Sequence, residues 1–272
     1  MRVASPAMDE PAAQNRRTVD VLGAKIDHID LDGAVARIAD WIDHPRESTR
    51  FVAATGFHGL WIAQQDRRFL EILNSADLFC PDGIAPVWIS KLQGGGLHTR
   101  VPGPSLMSAV LEAANERRDS SFFYGDRSET LDALKTRLER RYPGHRIAGM
   151  RSPPFRALTA AEDEAMIREI NAARPDILWV ALGLPKQEIW IHEHRDRLEV
   201  PVAVAIGAAF GFVSGRVSRA PEWIGNSGFE WVWRLMAEPK KLWRRDLIDG
   251  PRFLLHVLRE HVRSKRRRRV AP

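Results

Sequence analysis

Cysteine is almost missing from this chain. Cys80 is the only one among 272 residues, so no internal disulfide can form, and a reducing compartment fits. Long apolar runs are missing as well. The longest, from Val200 to Val213, has 14 residues and includes Pro201, whereas crossing a bilayer takes about 20. The opening stretch MRVASPAMDEPAAQNRRT carries acids and prolines and no apolar core. It reads as a loose tail, neither a secretory signal nor a spanning helix, and a cytoplasmic chain is expected. No P-loop, nucleophile elbow or paired CxxC is present, and Gly207, Gly211 and Gly215 do not make the G-x-G-x-x-G dinucleotide fingerprint. That gap counts against an oxidoreductase or a nucleotide-sugar epimerase.

What is present is ordinary globular material, 44% hydrophobic and 28% charged, with length for one large domain or a domain and an appendage. The formal charge of +6 is unevenly placed. Residues 231–272 hold 13 Lys and Arg against 4 Asp and Glu, a net of +9, while the other 230 residues net −3. The basic end points to an anionic partner: a lipid surface, a nucleic acid or a phosphorylated substrate.

Strand-like and helix-like segments alternate from about residue 19 to residue 215. RFVAAT, DLFCP, SSFFYG, HRIAGM, DILWVALG and VPVAVAIG read as strands. The last two are strongly apolar runs with β-branched residues, as strands buried on both faces of a parallel sheet require. Between them, helical spacing is predicted over Gly59–Leu73, about Ile84 to Lys91, Ser105–Arg118, and from a Ser128 cap to near Tyr142. Thr159 and Glu162 form a capping box, and Asp32 reads as the cap of GAVARIADWI. The rhythm predicts an α/β protein with a doubly wound, mainly parallel, Rossmann-like sheet and a basic helical C-terminal appendage. The expected division is a disordered tail over 1–18, an α/β catalytic domain over 19–220, a helical membrane-associating appendage over 221–262 and a basic disordered tail over 263–272.

Ligands of such sheets bind at the carboxyl ends of the strands. Asp82 stands just past DLFCP, so its carboxylate is expected to face that crevice. The bland reading is a helix N-cap; the chemical one is a general base, since an apolar crevice strengthens an acid as a proton acceptor. PKQE, Pro185 to Glu188, opens a helix beyond DILWVAL. Pro185 suits a first turn, while Lys186 beside free N–H groups makes an anion site. Arg100 follows a Gly-rich loop and is either a solvated charge or a phosphate clamp. Asp30 and Asp32 resemble the acid pair of metal-dependent sugar transferases, but they precede a helix. His192 and His194, two apart on a helix, do not share a face. No metal site and no cofactor are expected.

The end of the chain places four of its nine tryptophans between Trp223 and Trp243, with Leu, Lys and Arg at helical spacing. A helix pair packed on the core is one reading. An interfacial segment, with Trp and Leu in lipid and the basic side chains on anionic head groups, is the other and is preferred because charge and tryptophan coincide. A nucleic-acid-binding module is disfavoured, because no reading motif accompanies the basic residues.

Taken in order, ILNSADLFCPDGIAPVW, RVPGPSLM, FFYGD, DILWVALGLPKQEIWI, AIGAAFGFVSGRVSRAPEW and GFEWVWRLMAEPKKLWRR resemble the bacterial WecG/TagA/CpsF glycosyltransferases over roughly Val19 to Arg259. The resemblance implies an inverting, metal-independent transfer from a UDP-sugar to a sugar on a polyprenyl diphosphate at the inner face of the membrane. Asp82 matches the family's proposed base. Arg100 and Gln187 match active-site polar positions, and Arg234, Arg244 and Arg245 lie in the segment proposed to reach membrane and active site. Thr55, His58, Gly83, Lys186, Glu188 and Gly207 complete the expected substrate-binding set. A homo-oligomer is left open. Two positions depart from the pattern: Phe57 stands where Asn is typical, next to His58, and Gly211 replaces an aspartate. Both point to a donor sugar other than the usual N-acetylmannosamine.

Overall fold

The computed structural model describes residues 16–218, 230–237 and 239–270. A two-stranded antiparallel hairpin, β1 (Thr18–Val21) and β2 (Ala24–Asp27), precedes the main sheet. That sheet has six parallel strands: β3 (Arg50–Thr55), β4 (Leu78–Pro81), β5 (Ser120–Gly125), β6 (Arg146–Arg151), β7 (Ile177–Ala181) and β8 (Val202–Ala205). Their order across the sheet is β4-β3-β8-β7-β5-β6. Every residue of β4, β5, β7 and β8 is buried, whereas edge strand β6 is half-exposed along its length. This is why the inner strands read as unbroken apolar runs.

Helices cover both faces. On one lie α1 (Leu31–Asp43), α5 (Gly103–Arg117), α6 (Ser128–Arg141) and α9 (Ala209–Val213), with Ile38, Leu106, Leu134 and Phe210 packed on the sheet. On the other lie α2 (Phe57–Gln65), α3 (Arg67–Asn74), α7 (Ala160–Ala173) and α8 (Lys186–His194), which bury Leu60, Phe69, Ile167 and Ile191. The short α4 (Ala85–Gln93) follows β4. The C-terminal segment comprises α10 (Glu230–Ala237), α11 (Pro239–Arg244), a π-turn (Arg245–Asp249) and α12 (Gly250–Val270). From α12, Phe253 and Val257 enter the core layer of α2, α3 and α8. Each such side chain contributes about 1.5–3 kcal/mol when fully buried, so the segment is fastened to the sheet domain.

Several local expectations change. Asp30, not Asp32, caps α1, its Oδ1 accepting from the Gly33 N–H at 2.8 Å. The apolar spacing over 59–73 belongs to two helices, because Asp66 ends α2 and caps α3 through the Phe69 N–H. Arg127 occupies the N-cap of α6, and Ser128 is its first residue. Thr159 and Glu162 do form a capping box. Residues 16–18 are not a free tail: Arg16 makes two hydrogen bonds to the buried Asp27 carboxylate, at 2.9 and 2.8 Å, and Thr18 opens β1. The basic run after residue 262 continues α12 to Val270, since Lys and Arg are good helix formers. Residues 1–15 lie outside the described residues, as does 219–229, which holds the start of the expected appendage. No helix among the described residues is long and apolar enough to cross a membrane.

Candidate active site

The carboxyl ends of β3, β4, β7 and β8 meet along one edge of the sheet, and most of the residues singled out in the sequence stand there. The Asp82 N–H donates to the Thr55 carbonyl at 3.3 Å, which ties the end of β4 to that of β3. Asp82 does not cap α4, whose N-cap is Ile84. Its half-buried side chain turns instead toward the start of α5: a Cβ on Gly103 would stand 4.0 Å from Asp82 Oδ2 and 3.7 Å from the Ile206 carbonyl. The absent side chain at Gly103 keeps that approach open, and the helix N-terminus brings positive potential to it. Gly83, with φ +74°, makes the left-handed turn between β4 and α4. The Val101 N–H donates to the Pro81 carbonyl at 2.8 Å, so Arg100 is carried to the same strand end.

Past β8, Gly207 comes to the PKQE turn. Gln187 Oε1 accepts from the Gly207 N–H at 3.0 Å and from the Gly183 N–H at 3.2 Å, and its Nε2 donates to Glu188 Oε1 at 2.9 Å. Gln187 is 2% exposed and Glu188 fully buried. Both are interior groups that shape the crevice, while Lys186, the first residue of α8, is exposed at its mouth. Thr55 is buried at 3% exposure. The single cysteine, Cys80, lies inside β4, where burial pushes its thiol up, which removes it as a nucleophile.

The C-terminal segment arrives at the same rim. The Arg245 guanidinium lies over the Phe57 ring, 5.7 Å from its centroid, and makes two hydrogen bonds to Asp246, at 2.6 and 3.0 Å. His58 Nε2 is 4.0 Å from Asp249 Oδ2. Burial, and after it the Arg245 charge, lowers the His58 pKa. Phe253 packs against Phe57 and Trp61 with ring centroids 6.2 and 6.1 Å apart. Phe57 thus faces the C-terminal segment, a pairing that no local pattern in the sequence signals. Arg244 is exposed beside it; the side chain of Arg234 lies outside the described residues.

Two other features stand apart from this edge region. A groove of about 870 Å³ runs between α6 and β6 past Lys135 and His145, five strand spacings from β4, or about 24 Å. Phe155, 82% exposed with the Arg127 guanidinium over its ring, follows β6; the sequence reading missed it because exposure of a lone aromatic leaves no periodic signal. Among the described residues no group of three or more His, Cys, Asp or Glu side chains is placed to hold a metal ion. His192 instead pairs with the Ser75 hydroxyl at 2.9 Å, and His194 with Asp163 at 2.6 Å.

Burial drives the Glu188 pKa from 4.5 up to about 7. The folded protein therefore holds this proton over a range where the unfolded chain has released it, and stability falls as pH rises from about 4.5 to about 7. The whole effect amounts to about 3 kcal/mol. Glu188→Gln, which cannot ionise, should gain stability relative to the native protein as pH rises from 5 to 8. Urea unfolding at several pH values checks this, and a difference that does not vary with pH contradicts it.

At the carboxyl edge of this α/β sheet stand Asp82, Arg100 and the start of α8, the place where ligands of such sheets bind. The particular family is shown by sequence comparison: residues 19–267 match the glycosyl transferase WecG/TagA/CpsF family, and the chain belongs to it. The protein is accordingly a glycosyltransferase. It is similar to the N-acetylglucosaminyldiphosphoundecaprenol N-acetyl-beta-D-mannosaminyltransferase of Bacillus spizizenii, 36% identical over 202 residues, 74% of this chain and 76% of that one. The enzyme of that name from Bacillus subtilis is 32% identical over 204 residues, 75% and 77% of the two chains. The one from Staphylococcus aureus is 26% identical over 252 residues, 93% and 96%.

Proposed function

We propose that the protein transfers a hexose or N-acetylhexosamine, with inversion, from a UDP-sugar to a sugar carried on a polyprenyl diphosphate, in the synthesis of a cell-surface polysaccharide. The observation that carries this reading is the placement of Asp82 at the strand edge where Arg100, Gly207, the PKQE turn and Arg245 converge; the names of the relatives supply the substrate class. The incoming hydroxyl loses its proton to Asp82 as its oxygen bonds to the anomeric carbon, and the bond to the nucleotide diphosphate breaks on the opposite face. The departing diphosphate gains charge, which Arg100, Lys186 and the N–H groups at the start of α8 stabilise. Arg245 completes the ring of cations from the C-terminal side. Among the described residues two of its five N–H donors are engaged, both by Asp246, which leaves three for phosphate oxygens.

The acceptor's prenyl chain stays in the bilayer, so the protein works at a membrane surface, peripherally and at the inner face. Exposed Leu254, Leu258 and Val262 lie on one face of α12, and exposed Trp243 and Leu247 precede them. Trp88 and Leu92 of α4, which touches α12, are exposed as well. These apolar groups beside the +9 end suit an anionic lipid surface. The protein is expected to float with vesicles containing anionic phospholipid, and Leu254→Glu with Leu258→Glu to reduce the bound fraction at least about tenfold. Equal flotation of the variant would remove this face from the account.

A further inference from the structure

Glu188 is a buried acid that the proposed transfer does not use. Its Oε1 accepts from Gln187 Nε2, and its Oε2 has no hydrogen-bond partner among the described residues. No charged side chain contributes to its raised pKa, which burial dominates. A carboxyl so placed is costly, and Glu is rarely buried without a partner. What it touches is the amide that clips two loops together. Gln187 Oε1 receives the N–H groups of Gly183, past β7, and of Gly207, past β8. If that amide turned over, its NH2 would face two N–H donors and its oxygen would face the Glu188 carboxyl. Only one orientation satisfies all three neighbours: the two glycine N–H groups require the oxygen on their side, and the Glu188 oxygen holds the NH2 on the other.

We propose that Glu188 is a positioning residue that locks the Gln187 amide, and through it the spacing of the Gly183 and Gly207 loops, so that the start of α8 is pre-set to receive the donor's diphosphate. The ligand rests on the transferase reading; the lock does not. Helix α8 begins three residues after Gly183, and the Gln187 N–H donates to the Gly183 carbonyl at 3.1 Å, so a shift at the clip moves the helix N-terminus. A gap of a fraction of an ångström there weakens every hydrogen bond to a bound phosphate.

The test uses Glu188→Leu, which removes the acceptor, and Glu188→Gln, which keeps one. The amide ¹H–¹⁵N resonances of Gly183 and Gly207 should move in the leucine variant and stay in the glutamine variant. The UDP dissociation constant from calorimetry should rise about tenfold or more in Glu188→Leu, with the donor KM rising more than kcat falls, and should remain near native in Glu188→Gln. Native UDP affinity and unmoved glycine amides in Glu188→Leu overturn the proposal, as does a glutamine variant damaged as badly as the leucine one. Should the leucine variant not fold, hydrogen exchange on the native protein decides: the Gly183 and Gly207 amides exchange slowly if clipped, and fast exchange at both overturns it. A native protein that binds no UDP but keeps both amides protected would sink the nucleotide reading and leave the lock standing.

Discussion

Asp82→Asn is expected to lower the rate of sugar transfer by roughly 10²–10⁴-fold while leaving the fold and the binding of UDP intact. Asparagine has nearly the same shape as aspartate, and the Asp82 contact that ties β4 to β3 is made by its backbone N–H, which the substitution keeps. The side chain is half-buried, borders Gly103 and does not cap α4, the helix that follows it. What is lost is the lone pair that accepts the proton of the attacking hydroxyl. Single-turnover rates, a melting curve and a UDP titration separate the outcomes. A slow enzyme with native melting and native UDP affinity agrees with a base; a native rate removes Asp82 from that role.

Loss of Arg245 should cost turnover about a hundredfold or more, as removal of a positioned donor to a developing charge does. The single variant Arg245→Ala would mislead, because Asp246 has a side chain only 1% exposed and Arg245 is its ion-pair partner. A buried carboxylate left alone destabilises by about 3–5 kcal/mol. The informative protein is therefore Arg245→Ala in an Asp246→Asn background, where no charge is stranded. Its melting temperature should recover most of what the single variant loses, while its turnover stays low. Recovery of both stability and rate would make Arg245 a mere strut for Asp246.

How far the sequence reveals this molecule depends on the range of the interaction. The parallel sheet is legible because strands buried on both faces must be apolar throughout, as ILWVA and VAVA are. The strand-end position of Asp82 is legible for the same reason: the apolar run stops and the chain turns. Asp66 splits one expected helix into two because a cap needs only one side chain and leaves the apolar period unbroken. The internal roles of Gln187 and Glu188 are hidden, since polar residues at a helix start usually face water or ligand, and here Gln187 faces two glycine amides and Glu188 faces Gln187. The seat of Arg245 on Phe57 joins residues far apart in the chain, and nothing periodic announces it. Phe57, where the family pattern has Asn, is met by Phe253 and Arg245 from the C-terminal segment.

The central claim is a group transfer, and it can be read from the mass of a lipid. The purified protein would be given a panel of UDP-sugars with a short-chain polyprenyl diphosphate bearing N-acetylglucosamine, and the lipid followed by mass spectrometry alongside UDP release. One sugar in the panel should make the lipid heavier by a single hexose or N-acetylhexosamine residue, with one UDP released for each. If no UDP-sugar yields a heavier lipid, or UDP appears without any gain in lipid mass, the account is contradicted.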